Sequence, residues 1–174
     1  NGLYEVKARL TSGTAGNTAF LLGNTSRTAC TITTAKAFQE VSMYFLVENH
    51  KATIGAIGAV TETDSEGNKT VYYYNKDASG CEYMMDYFSL KYISNIGNGR
   101  LYFALDEANA AKENLDSDGQ ALVNLTSYQS MWDERELGVD DEGIVETEAI
   151  LQMLATAAKA QRTIGADMTY AIWN

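Results

Sequence analysis

His50 is the single histidine in the chain, and that bounds the acid–base chemistry on offer. A zinc site built on two histidines is closed to one chain, and the spacing of Cys30 and Cys81 matches no structural zinc site. A Ser-His-Asp arrangement would have to use His50, in the polar stretch "VENHKA", and no G-x-S-x-G elbow accompanies it. Gly55 and Gly58 in "IGAIGAV" fit neither phosphate-binding fingerprint. Asp and Glu total 23, so the presence of two carboxylates suitable for glycoside hydrolysis has no specificity. No catalytic residue is assigned, and a carboxylate-dependent hydrolase is the last of the functional readings.

Two further groups could bind or cross-link. "NLDSDG" places Asn114, Asp116, Asp118 and Gly119 as in the first half of an EF-hand loop, but Leu125 stands where the bidentate Glu belongs. An acidic turn is the default there, with Asn114, Asp116 and Asp118 as a calcium candidate. Cys30 and Cys81 either pair across a long loop, as an extracellular setting allows, or remain two separate buried thiols. N-glycosylation patterns begin at Asn24, Asn68 and Asn124, and they have little weight in a chain so rich in Asn, Ser and Thr.

The densest apolar stretch is "SGCEYMMDYFSLKY", residues 79–92. Strict alternation puts Tyr83, Met85, Tyr87 and Ser89 on one face and Met84, Asp86, Phe88 and Leu90 on the other. Both faces are largely apolar, as in a strand buried on both sides. A strand between a core and a pocket has the same look, so Tyr83, Met84, Met85, Tyr87, Phe88 and Tyr92 are the candidate ligand-binding residues. Tyrosine, apolar with a polar tip, suits such a surface.

The elements that would position these residues are mainly strands. In "GLYEVKARL", Tyr4, Val6, Ala8 and Leu10 form the apolar face of a half-buried strand. "TACTITT" and "EVSMYFLVE" carry the β-branched and aromatic enrichment of strands. "DSEGN" between two strand-like runs reads as a hairpin loop, and Gly55 and Gly58 point to a bulge or a close backbone approach. A second hairpin is expected over "YFSLKYISNIGNGRLYFALDE", with "NIGNG" as its turn. Beyond it the period changes, and "DDEGIVETEAILQMLATAAKAQR" is an amphipathic helix with acidic residues in its first turn. "DMTYAIWN" reads as a closing strand.

These elements predict a β-rich α+β fold in a single domain, 1–174. An antiparallel β-sandwich-like body is mainly residues 1–105. A C-terminal helical layer is mainly 106–165, and a final strand, 166–174, returns to the sheet. The chain has 174 residues, 45% of them hydrophobic, and no Pro. It opens without Met or a signal-peptide pattern, as a processed chain would. Its net charge of −10 and the lack of a basic stripe argue against nucleic acid and anionic membranes. No apolar run is long enough to span a bilayer.

"GLYEV" at the start of a sandwich, and "YMMDYF" ahead of "NGRLYF", resemble pieces of NEAT domains, the haem-capturing modules of Gram-positive surface proteins. In that family a short helix of such sequence covers a haem. The resemblance implies a pocket lined by Met84, Met85, Tyr87 and Phe88. The family's closing Y-x-x-x-Y pattern has no counterpart at the expected place. The leading expectation is a non-enzymatic protein, secreted or on the cell surface, that works through protein partners or self-association. A small-ligand-binding sandwich, for haem or another flat aromatic, is the alternative.

Overall fold

A computed structural model describes residues 1–74 and 83–135, with the backbone alone at 59–63 and 69–74. Cα proximity groups the chain into two compact units, one covering Leu3–Ile93 and the other opening at Ser94. The fold is α+β. Seven strands come first: β1 (Gly2–Ser12), β2 (Thr18–Gly23), β3 (Ser26–Thr31), β4 (Gln39–Val47), β5 (Ile54–Thr63), β6 (Lys69–Tyr74) and β7 (Tyr83–Ser94). Three helices follow: α1 (Ile96–Glu113), α2 (Ser117–Leu122) and α3 (Thr126–Glu134).

The strands form two sheets, with orders β4-β1-β7 and β3-β2-β5-β6. One buried cluster draws on both sheets. Val6, Ala8 and Leu10 come from β1, Phe45 and Val47 from β4, Ala19 and Leu21 from β2, and Cys30 from β3. The alternation of β1 explains its share: Val6, Ala8 and Leu10 are buried while Lys7 and Arg9 stay half-exposed. Each large side chain in such a cluster contributes about 1.5–3 kcal/mol of transfer free energy. Gly23 belongs to this packing, because a Cβ there would fall 2.6 Å from the Phe45 ring.

The β5–β6 hairpin forms around "DSEGN", with Thr63 opposite Lys69. Asp64 builds its loop. Its Oδ1 accepts from the backbone N–H groups of Glu66 and Asn68, and its Oδ2 accepts from Asn68 Nδ2 at 3.0 Å. Gly67 supplies the positive φ, +86°. The β2–β3 connection is shorter. Gly23 pairs with Ser26, and Asn24 lies in the left-handed region at φ 50°. The Asn24 amide is locked, Nδ2 donating to Leu46 O at 2.7 Å and Oδ1 accepting from Thr53 N at 2.8 Å.

The second expected hairpin is a correction. "NIGNG" is a helix start rather than a turn, and "RLYFAL" lies inside α1. Strand structure in the described chain thus ends at Ser94, short of residue 105. Two physical reasons decide it. Asn95 caps the helix, its side chain accepting from Asn98 N. Leu101, Ala104, Leu105 and Ala108 recur at helical spacing and are all buried. Asn98 is buried too, and its Nδ2 donates to Arg135 O at the end of α3. Cys81, the expected helix over 140–162 and the expected closing strand 166–174 lie outside the described residues.

Candidate functional site

All six candidate ligand-binding residues lie on β7, which is the edge of its sheet among the described residues. They do not share one environment. Tyr83 and Phe88 pack against the core cluster, and the Tyr83 hydroxyl donates to Thr18 O at 3.1 Å. Tyr87 turns to the polar face, its hydroxyl donating to Glu40 Oε2 at 2.9 Å. Met84, Met85 and Tyr92 are exposed at 45%, 47% and 53%, and Leu90 joins them at 44%. Tyr92 also meets Tyr4 edge-on, with ring centroids 5.4 Å apart.

The strict alternation read from the sequence therefore breaks. Asp86 and Tyr87 are neighbours, yet both reach groups of the polar face, Arg9 and Glu40. Tyr83 and Phe88 differ in parity, yet both face the core. The face changes by one residue between Asp86 and Tyr87, as it does where a β-bulge inserts a residue. Residues 83–88 are strand, not the short haem-covering helix that the likeness to NEAT domains implies.

The polar face beside β7 is a set of paired charges. Lys7 Nζ lies 3.2 Å from Glu40 Oε1, and Arg9 Nη1 lies 2.9 Å from Asp86 Oδ2. The Arg9 guanidinium also sits over the Phe38 ring, 5.4 Å from its centroid. The Tyr87 hydrogen bond, then that of Lys7, holds the Glu40 carboxyl below its usual range. The same bond to Glu40 raises the Tyr87 phenol, and Glu40 raises the Lys7 ammonium. These groups are open to solvent, so the pairs set geometry more than stability. Chemically, Glu40 and Asp86 are each committed to a cation rather than free to act as bases. Lys7, Arg9 and Glu40 were not singled out from the sequence, although Lys7 and Arg9 are the outward residues of the β1 alternation.

The other candidates fall into local roles. His50 is exposed at a left-handed position, φ 56°, and its backbone N–H donates to Asn1 Oδ1. Asp116 is the N-cap of α2, accepting from Gly119 N at 2.8 Å. Asn114 Nδ2 donates to Ala110 O, and Asp118 is exposed in the first turn of α2. Among the described residues no group of three or more His, Cys, Asp and Glu side chains is gathered for a metal ion. Cys30 is a buried free thiol, and burial pushes it up; Cys81, the other member of the possible disulfide, lies outside the described residues. Within the second unit, Tyr102, Leu105, Asp106, Asn109, Gln129 and Trp132 line a cleft of about 140 Å³. Asp106 is the single carboxylate among those lining residues, where glycoside hydrolysis would need two. No described helix is long and apolar enough to cross a membrane.

No family model matches the chain, and no curated protein or solved structure is significantly similar to it.

Proposed function

We propose that this chain is a non-enzymatic interaction protein of the secreted or cell-surface kind, with an antiparallel β-sandwich-like body that makes protein contacts along β7, the edge of its sheet among the described residues. The observation that carries the reading is the edge itself. Among the described residues twelve residues of strand end the sheet, and Met84, Met85, Leu90 and Tyr92 stand exposed along them. An edge strand offers a row of N–H and C=O groups to an added strand, and proteins that do not use such an edge blunt it with charge or Pro. Here the charges on β7 are few, and Asp86 is already tied to Arg9. The acidic composition, a net charge of −10, supports the solubility that such a protein needs.

Capture by an immobilised peptide copying residues 83–94, flanked by lysines for solubility, tests it. The folded chain should bind, and the edge-blocked chain Met85→Lys/Leu90→Lys should not. Equal capture of both, or of neither, would remove the edge from the proposal. The haem alternative would place its ligand on the same strand, and a one-to-one Soret shift on adding haem would favour it instead.

A further inference from the structure

We infer that the partner of the β7 edge is a second copy of this chain, paired antiparallel about a two-fold axis through Ser89. The inference rests on the β7 contact reading and names its occupant. Its basis is the order of residues along the strand together with the change of face between Asp86 and Tyr87.

Two copies of one strand can pair antiparallel in few registers, because directly opposed residues must lie on the same face. Phe88 and Tyr92 define the core-side face of the second half of β7, through the core cluster and Tyr4. Leu90 lies between them, so Tyr87, Ser89 and Lys91 take the polar side. Ahead of the face change, Tyr83 and Met85 are core-side, and Met84 and Asp86 are polar-side. An axis at Ser89 sets Phe88 against Leu90 of the second copy and Tyr87 against Lys91. The one-residue change of face then brings Asp86 beside that same Lys91, and Met85 comes opposite Tyr92.

The pairs around the axis, from Met85 to Tyr92, are chemically matched. Asp86 and Lys91, the charged residues of β7, meet as opposite charges, twice by symmetry. Met85 meets an aromatic ring, a favourable sulfur contact, and Phe88 meets Leu90. The exposed side chains Met85, Leu90 and Tyr92 all become cross-strand partners. The product is one continuous sheet of six strands, β4-β1-β7 of one copy joined to β7-β1-β4 of the next, with an isologous and closed contact. Each copy carries a net charge of −10, so repulsion opposes the pairing and added salt should strengthen it.

A cysteine at the axis is the test. Opposed Cα atoms in an antiparallel ladder lie about 4.5–5.5 Å apart, within the range a disulfide spans. In a Cys81→Ser background, Ser89→Cys should form a covalent dimer under mild oxidation far faster than Ser65→Cys in the exposed β5–β6 loop. Lys91→Glu, which sets Glu against Asp86, should weaken the non-covalent dimer about tenfold in sedimentation equilibrium. Equal cross-linking at positions 89 and 65, or a chain that stays monomeric in high salt, overturns the inference. Peptide capture that persists in that event would leave the edge with a different partner; capture that also fails would remove the β7 contact reading itself.

Discussion

The ring of Tyr83 occupies the space where a side chain on Gly58 would stand. A Cβ at Gly58 would fall 2.2 Å from Tyr83 Cε2, and the Tyr83 hydroxyl is held by Thr18 O on β2. The contact ties the start of β7 to the other sheet. Gly58→Ala should therefore destabilise by about 1–3 kcal/mol, the range for overpacking. Tyr83→Phe should cost only about 0.5–1.5 kcal/mol, one hydrogen bond. Urea denaturation of both variants checks the order, and Gly55→Ala, with open space around it, is the control expected to show no clash.

The Glu40–Tyr87–Lys7 group should respond to pH at both ends. Glu40 titrates below the usual carboxylate range. Its contribution is complete above that range and is lost as pH falls through the lowered folded value. Tyr87 and Lys7 are raised, so their share is complete below their usual values and is lost as pH rises through the folded ones. Tyr87→Phe removes the first cause of the Glu40 shift. An NMR titration of the Glu40 carboxyl should then move upward, while remaining below normal because Lys7 persists. An unchanged Glu40 value would mean that the Tyr87 bond does not form in solution.

Thr11 is fully buried, and its Oγ1 has no hydrogen-bond partner among the described residues. Thr11→Val keeps the shape and removes a polar atom that burial penalises. The variant should be as stable as the parent or more so, by up to about 1–3 kcal/mol. A lower melting temperature would show that the hydroxyl has a partner in solution.

Cys30 should resist alkylation in the folded chain, because it is buried and its thiol is pushed up. Unfolding without reductant then separates the two states of the cysteines. Labelling of both would mean two thiols; labelling of neither until reductant is added would mean a disulfide.

Much of the first unit was legible in the sequence because its signals are local. Tyr4, Val6, Ala8 and Leu10 alternate in β1 and turn to the core. Asp64 and Gly67 announce the β5–β6 loop by chemistry that works within five residues. Gly55 and Gly58 together point to a bulge or a close backbone approach; what the structure shows is a side-chain ring, that of Tyr83, against Gly58, and open space at Gly55. The α1 region misled because Leu101, Phe103 and Leu105 satisfy a period of two while Leu101 and Leu105 equally satisfy a helical turn. What decides between them is the Asn95 cap, whose side chain accepts from Asn98 N, together with the burial of Ala104 and Ala108 on the same helix face as Leu101 and Leu105. On β7, alternation could not reveal the one-residue change of face, since that depends on Arg9 and Glu40 from two other strands.

The same cap gives a direct test. Asn95→Ala should lower stability by about 1 kcal/mol and fray the first turn of α1, visible as faster amide exchange at residues 97–99. Unchanged exchange would mean that packing alone starts the helix.

The lock on Asn24 sets an order of events. A glycan attaches to the amide nitrogen of Asn, and in the folded chain that atom is spent on Leu46 O. Asn68 is similar, its nitrogen held by Asp64, whereas at Asn124 the recorded bond is on the oxygen, from Thr126 N. Folding and modification therefore compete for the same atom at Asn24. A sugar there would have to arrive while β4 is still unmade, and the chain would then fold with a single N–H left on that nitrogen to reach Leu46 O past the bulk of the glycan.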